Sequence, residues 1–125
     1  MRYDTSLQPP APVVDVVIRN PYASGPEYGC RALLDTAAEI SVVPQSAVET
    51  LLVAEAQRIS ARSWDGSRQE ALTYIVRIEF EGGVVPFVEA VAADRPTALL
   101  GRDVLNLLRL LLDGPALTLE ILPTH

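Results

Sequence analysis

One acidic side chain, that of Asp35, occupies a position where a carboxylate can do chemistry. It follows the apolar pair Leu33 and Leu34, and Thr-Ala-Ala-Glu separates it from the mostly apolar run 40–44. A carboxylate at the end of a buried strand costs free energy unless another group pairs with it or a reaction uses it. The order of residue types therefore marks Asp35 as a candidate acid–base group.

A second segment of similar character, Ala-Leu-Leu-Gly-Arg-Asp-Val-Leu, covers residues 98–105. The two segments together resemble the signature blocks of the retroviral-type (retropepsin-like) aspartic proteases. Those enzymes carry apolar-apolar-Asp-Thr/Ser-Gly-Ala early and apolar-apolar-Gly-Arg-Asp/Asn near the C-terminus. The matching residues are Leu34, Asp35, Thr36, Ala38, Leu99, Leu100, Gly101 and Arg102. The chain differs at Ala37, where the family usually has Gly.

The resemblance implies an aspartic endopeptidase, in which two carboxylates share one proton. One carboxylate activates a water molecule, and the other, protonated, polarises the scissile carbonyl group. Because the chain has a single apolar-apolar-Asp-Thr block, a second copy would have to supply the partner of Asp35. We therefore expect a homodimer with its two-fold axis between the two Asp35 residues, acting on a peptide or protein substrate.

Residues near Asp35 in the two blocks would support the active site: Thr36, Ala37, Ala38, Glu39 and Arg102. By the resemblance, the Thr36 hydroxyl hydrogen-bonds across the dimer, and the backbone at Ala37 and Glu39 lines the peptide. We also expect an ion pair between Glu39 and Arg102 that braces the Asp35 loop. Ser41 is interpreted as an ordinary loop hydroxyl.

Ala37 leaves two hypotheses open. At a positive φ its methyl group would strain the loop by about 1–3 kcal/mol, whereas at a negative φ alanine fits with little penalty. The first hypothesis is an active endopeptidase. The second is a catalytically inactive module of the same fold that binds peptides or holds partners together.

The dipeptide Asp65-Gly66 predicts a hairpin turn between extended segments at 54–63 and 69–80. The turn lies roughly where the family places its flap, a lid that excludes water from the site. The candidate lid residues are Trp64, Asp65, Gly66 and Ser67. An exposed turn tryptophan is the alternative interpretation of Trp64.

The remaining pattern predicts an all-β domain with two short helices. Further strands are expected at 13–19, 30–34, 40–43, 84–92, 99–100 and 116–122, and helices at 45–52 and 102–109. Such short strands suggest a closed or nearly closed barrel, and the resemblance implies an acid-protease half-barrel with a hairpin flap. Residues 1–12, rich in proline, would be a flexible tail before the domain at 13–125. The apolar residues of 104–112 are interpreted as core and dimer surface.

Composition limits the other functions. The net charge is −6 and the ten basic residues are scattered arginines, which argues against nucleic-acid partners and anionic membranes. The N-terminus lacks the apolar segment of a signal peptide, so a cytoplasmic location is expected. Cys30 is interpreted as a small core residue, and His125, the single histidine, is poorly placed for a catalytic triad. No metal or other cofactor is expected.

Overall fold

Strands dominate the computed structural model, which describes residues 1–62 and 65–123. The strands in these ranges are β1 (Val13–Arg19), β2 (Glu27–Leu34), β3 (Val42–Pro44), β4 (Glu55–Arg62), β5 (Arg68–Phe80), β6 (Gly83–Ala93), β7 (Ala98–Leu100), β8 (Arg109–Asp113) and β9 (Thr118–Leu122). The helices are α1 (Gln45–Leu51) and α2 (Arg102–Leu105). The predicted fold class, mostly β with two short helices, is confirmed. Trp64 and His125 lie outside the described residues.

Six of these strands close into a barrel. Neighbouring strands follow the order β1-β2-β7-β3-β6-β5, and β5 pairs back onto β1, while β4 extends the sheet beyond β5. Pairing is parallel between β2 and β7 and between β3 and β6, and antiparallel elsewhere in the ring. The two signature blocks therefore lie on adjacent, parallel strands.

Alternation of side chains explains why the barrel has an apolar interior. Val14, Val16 and Ile18 of β1 are buried, and Asp15, between Val14 and Val16, is exposed. On β5, Val76 and Ile78 are buried. The helix α1 begins after Pro44, whose missing N–H is harmless at a helix start, and buries Ala47, Val48 and Leu51.

A long antiparallel hairpin, formed by β4 and β5, projects from this barrel. Its strands pair from Glu55 opposite Tyr74 to Arg62 opposite Arg68. The first three residues of β5 are exposed, whereas Thr73 and Tyr74 are buried where the strand enters the barrel. The turn contains Gly66 at φ 86°, a left-handed conformation that suits glycine. The hairpin predicted from Asp65-Gly66 is therefore present.

The C-terminal part differs from the prediction. The expected helix over 102–109 ends at Leu105, and a separate antiparallel pair, β8 with β9, follows. Val104 and Leu105 are buried as expected of core residues, but Leu107, Leu111 and Leu112 are 58%, 50% and 49% exposed. The apolar residues of 104–112 do not distinguish a helix from a strand, because short apolar segments suit both equally.

The proline-rich N-terminal segment, expected as a flexible tail, is hydrogen-bonded to the rest of the domain. The Leu119 N–H donates to the Met1 carbonyl oxygen at 2.8 Å, and the Tyr3 N–H donates to the Leu117 carbonyl oxygen at 2.9 Å. Backbone bonds also join Asp4 and Ala11. Among the described residues, neither helix has the length and apolar character needed to cross a bilayer.

Candidate active site

Asp35 lies where the two signature blocks meet. On β2, Leu33 and Leu34 are in register with Leu99 and Leu100 of the parallel strand β7. The Asp35 N–H continues this pairing by donating to the Leu100 carbonyl oxygen at 3.0 Å. The parallel ladder therefore fixes the backbone of the acid relative to the second block.

The Asp35 side chain is half-buried and shaped by its own loop. Its Oδ1 accepts a hydrogen bond from the Ala37 N–H at 3.0 Å, and its backbone carbonyl oxygen accepts one from the Ala38 N–H at 3.2 Å. No donor in the described ranges hydrogen-bonds to Oδ2. One carboxylate oxygen is thus held by the backbone, and the other is available to water, substrate or a second carboxyl group.

The backbone at Ala37 answers one question that the sequence left open, the sign of its φ. Leu52 and Leu117 are the non-glycine residues with positive φ in the described chain, so Ala37 is outside the left-handed region. Ala37 is also exposed, with room for its methyl group. Alanine in place of the usual glycine therefore causes no backbone strain here.

Arg102 does not form the predicted ion pair with Glu39. Instead its Nη1 donates to the carbonyl oxygens of Thr36 and Ala37 at 2.8 and 3.2 Å, and its backbone N–H donates to the Ala38 carbonyl oxygen at 2.8 Å. The physical reason is that the turn leaves these carbonyl groups without other partners, and a guanidinium group can satisfy two at once. Arg102 braces the Asp35 loop, as predicted, but through backbone acceptors.

Ser41, interpreted from the sequence as an ordinary loop hydroxyl, is a buried junction between the blocks. Its side chain is 0% exposed. The hydroxyl donates to Asp103 Oδ1 at 2.7 Å and accepts from the Gly101 N–H at 2.9 Å. The Ser41 N–H donates to Asp103 Oδ2 at 3.1 Å. Asp103 therefore ties the start of α2 to Ser41, the residue before β3.

Gly101 is required by close packing. A Cβ atom at this position would lie 2.9 Å from the Ile40 carbonyl carbon and 3.0 Å from the Ala38 carbonyl oxygen. Backbone atoms cannot move aside as a flexible side chain can. The glycine of the second block thus lets α2 start directly against the loop that carries Asp35.

The other predicted site residues lie in two places. Thr36 and Glu39 are exposed beside Asp35, and neither side chain has a hydrogen-bond or ion-pair partner among the described residues. Asp65, Gly66 and Ser67 lie at the far end of the hairpin, where Asp65 Oδ1 accepts from the Ser67 N–H and hydroxyl at 2.9 and 2.7 Å. Trp64, the remaining lid candidate, is outside the described ranges.

Cys30 belongs to the core, as the sequence predicted. Its side chain packs against the buried cluster of the barrel. Burial raises the pKa of the Cys30 thiol, which keeps it protonated and weakly nucleophilic. The thiol is therefore unsuited to catalysis.

Comparisons with known proteins agree with this geometry. The family model described as "gag-polyprotein putative aspartyl protease" matches residues 27–107, which include both blocks. Among solved structures, the EIAV protease in complex with the inhibitor HBY-793 is similar, with a TM-score of 0.56 and 24% identity over 77% of this chain and 86% of that chain. No curated protein sequence matches. The chain belongs to the retropepsin-like family of aspartic proteases.

Proposed function

We propose that the chain is an aspartic endopeptidase whose active site forms between two copies of it. Asp35 of each copy contributes one carboxyl group, and the pair shares one proton. The observation that carries the proposal is the position of Asp35, half-buried at the junction of the two blocks. Its Oδ1 is held by the Ala37 N–H, and its Oδ2 accepts from no donor among the residues that the structure describes.

The reaction follows from the unequal ionisation of the pair. Two carboxylates about 3 Å apart cannot both be ionised, so one is a base while the other is an acid. The ionised Asp35 takes a proton from a water molecule while the water oxygen attacks the carbonyl carbon of the peptide bond. The protonated Asp35 of the other copy donates to the carbonyl oxygen. Proton transfer to the leaving nitrogen then breaks the C–N bond.

Two features support a second copy as the partner. The Thr36 hydroxyl is exposed beside Asp35 and finds no partner within the described part of its own chain. Within residues 1–62 and 65–123, the strand β8 pairs with β9 alone, and its residues Leu111 and Leu112 are about half exposed. An unpaired strand edge with exposed leucines is suited to pairing with another chain, and the same patch on two copies would form a symmetric interface.

The β4–β5 hairpin would close over the substrate. It projects from the barrel and its turn carries Asp65, Gly66 and Ser67, the candidate lid residues together with Trp64. An extended peptide between this hairpin and the loop at Ala37 and Glu39 would add a strand to the site. Exclusion of water would strengthen the electrostatic interactions around the scissile bond.

The test is cleavage of an unfolded protein, such as reduced casein, between about pH 4 and 6, where one carboxyl of a pair holds the proton. We expect cleavage that pepstatin inhibits and that Asp35→Asn lowers by a factor of about 1000 or more. Asn keeps the size of the side chain but cannot ionise. Absence of Asp35-dependent cleavage in a dimeric, folded protein would reject the endopeptidase and leave the peptide-binding module.

A further inference from the structure

An open pocket of about 440 Å³ lies beside the Asp35 loop, between that loop, the β4 strand of the hairpin, β6 and α2. Ile40, Ile59 and Phe87 contribute apolar walls, and Glu39, Glu89 and Asp103 contribute three carboxylates. None of the lining residues is basic. A pocket with this lining offers apolar contact and a concentrated negative charge to the same ligand.

We propose that this pocket is a specificity subsite of the protease, and that it takes a lysine or arginine side chain of the substrate. The inference rests on the proposed endopeptidase function and names a substrate class for it. Lysine and arginine combine an apolar stem with a terminal cation, so the stem would lie along Ile40, Ile59 and Phe87. The cation would then reach the carboxylates at the rim.

The location fits a subsite a few residues from the scissile bond. Glu39 is four positions after Asp35 in the chain, so their Cα atoms are at most about 14 Å apart. An extended peptide advances about 3.3 Å per residue, and about four residues therefore cover that distance. The hairpin forms another wall through Gln57 and Ile59, so a lid that closes over the peptide would also cover the subsite.

The three carboxylates differ in their availability. Asp103 is engaged on both oxygens by Ser41, and its role is structural. Glu89 accepts from the Thr73 hydroxyl at 2.7 Å and from Gln57 Nε2, which fix its carboxylate in place. Glu39 has no partner in the described chain, so it is free to bind a cation. Glu39 and Glu89 are therefore the residues to substitute.

Hydrogen bonding favours the charged form of Glu89 in weak acid. Hydrogen bonds from Gln57 and Thr73 lower the pKa of Glu89, so this carboxylate stays ionised as the pH falls toward the range of the cleavage assay. A metal ion is not the expected ligand, because no group of three or more His, Cys, Asp or Glu side chains among the described residues could hold one.

The first arm of the test is cleavage of a proteome-derived peptide mixture by the full-length wild-type chain, with cleaved bonds identified by mass spectrometry. Because a two-fold dimer carries the pocket once in each copy, we expect Lys and Arg to be enriched on both sides of the cleaved bond, within about four residues of it. In matched peptides, Lys at one of the enriched positions should raise kcat/KM about 5–10-fold over Gln, and 0.5 M salt should remove most of the difference.

Substitutions identify the residues responsible. Glu39→Gln and Glu89→Gln together should reduce the Lys/Gln ratio to about 1–2. Glu49→Gln, which removes one negative charge from an exposed position on α1, should leave the ratio unchanged. Cleavage without a basic preference, or a preference that survives the double substitution, would overturn the subsite while leaving the endopeptidase intact.

The second arm does not depend on catalysis. The Asp35→Asn chain, labelled with ¹⁵N, is titrated with acetyl-Val-Ser-Lys-Ser-Val-amide and with its Glu counterpart. The Lys peptide should shift the backbone amide signals of Ile40, Ile59 and Phe87, and the Glu peptide should not. Equal shifts, or shifts confined to other residues, would overturn the subsite even if no cleavage is ever observed.

Discussion

The residues that support Asp35, here called the floor (Ser41, Gly101, Arg102 and Asp103), find their partners within one chain. The C-terminal hairpin of β8 and β9, in contrast, leaves apolar side chains partly exposed. In the floor, buried Ser41 joins Asp103 and Gly101, and Arg102 satisfies the carbonyl groups of the Asp35 loop. In the hairpin, Leu111 and Leu112 are about half exposed. Neighbouring residues of a strand point to opposite faces, so both faces of β8 lack full cover. The comparison teaches that one chain holds the acid in place by itself but leaves the leucines of β8 partly exposed, and in the proposed dimer a second copy would cover them.

The largest expected effect is that of removing the buried hydroxyl of the floor. Ser41→Ala would leave the Gly101 N–H without an acceptor and Asp103 without its shortest hydrogen bond. We expect the free energy of unfolding to fall by about 3 kcal/mol, measured by urea denaturation. Ser46→Ala, at an exposed hydroxyl that bonds to Tyr28, should cost less than about 1 kcal/mol. Equal losses would contradict the special role of Ser41.

Next in size is overpacking of the same floor. Gly101→Ala would place a methyl group within about 3 Å of backbone atoms of Ala38 and Ile40, and we expect a loss of about 2 kcal/mol. Gly114→Ala is the control, since nothing lies within 4 Å of its Cβ position. The melting temperatures of the two variants test this prediction. Similar values would show that the Asp35 loop can move to accommodate the methyl group.

The C-terminal hairpin should respond differently. Leu112→Asp places a charge on the exposed surface that a second copy would cover, so the dimer dissociation constant should rise about tenfold. The free energy of unfolding of the monomer should change by less than about 0.5 kcal/mol. Leu52→Asp, at an exposed leucine after α1, should leave association unchanged in analytical ultracentrifugation. An unaltered dimer in the Leu112→Asp variant would exclude this surface from the interface.

The smallest expected effect belongs to the exposed brace of the floor. Arg102→Ala removes two hydrogen bonds to carbonyl groups of the Asp35 loop, and because the side chain is exposed we expect a loss of only about 1 kcal/mol. Arg68→Ala, at an exposed arginine of β5, should change stability by less than about 0.5 kcal/mol. The two variants are compared by their melting temperatures in thermal unfolding. Equal melting temperatures would show that Arg102 does not stabilise the Asp35 loop.

Short sequence patterns predicted several elements of the fold. The Asp65-Gly66 dipeptide predicted the hairpin turn, and the predicted helix at 45–52 agrees closely with α1, which follows Pro44. Ser41 escaped prediction because its partners lie about sixty positions away, and no local pattern distinguishes a buried serine from an exposed one. The Glu39–Arg102 pair was wrong because opposite charges suggest an ion pair, whereas the acceptors that Arg102 finds are backbone atoms that the sequence does not display.

The most direct test of the shared pair of acids mixes wild-type and Asp35→Asn chains at a fixed total concentration, after dissociation and re-equilibration. If both copies must supply a carboxyl group, protease activity follows the square of the wild-type fraction, and an equal mixture retains about one quarter of the activity. Activity that falls in proportion to the wild-type fraction, with about one half retained, would show that each chain acts alone and would contradict the account.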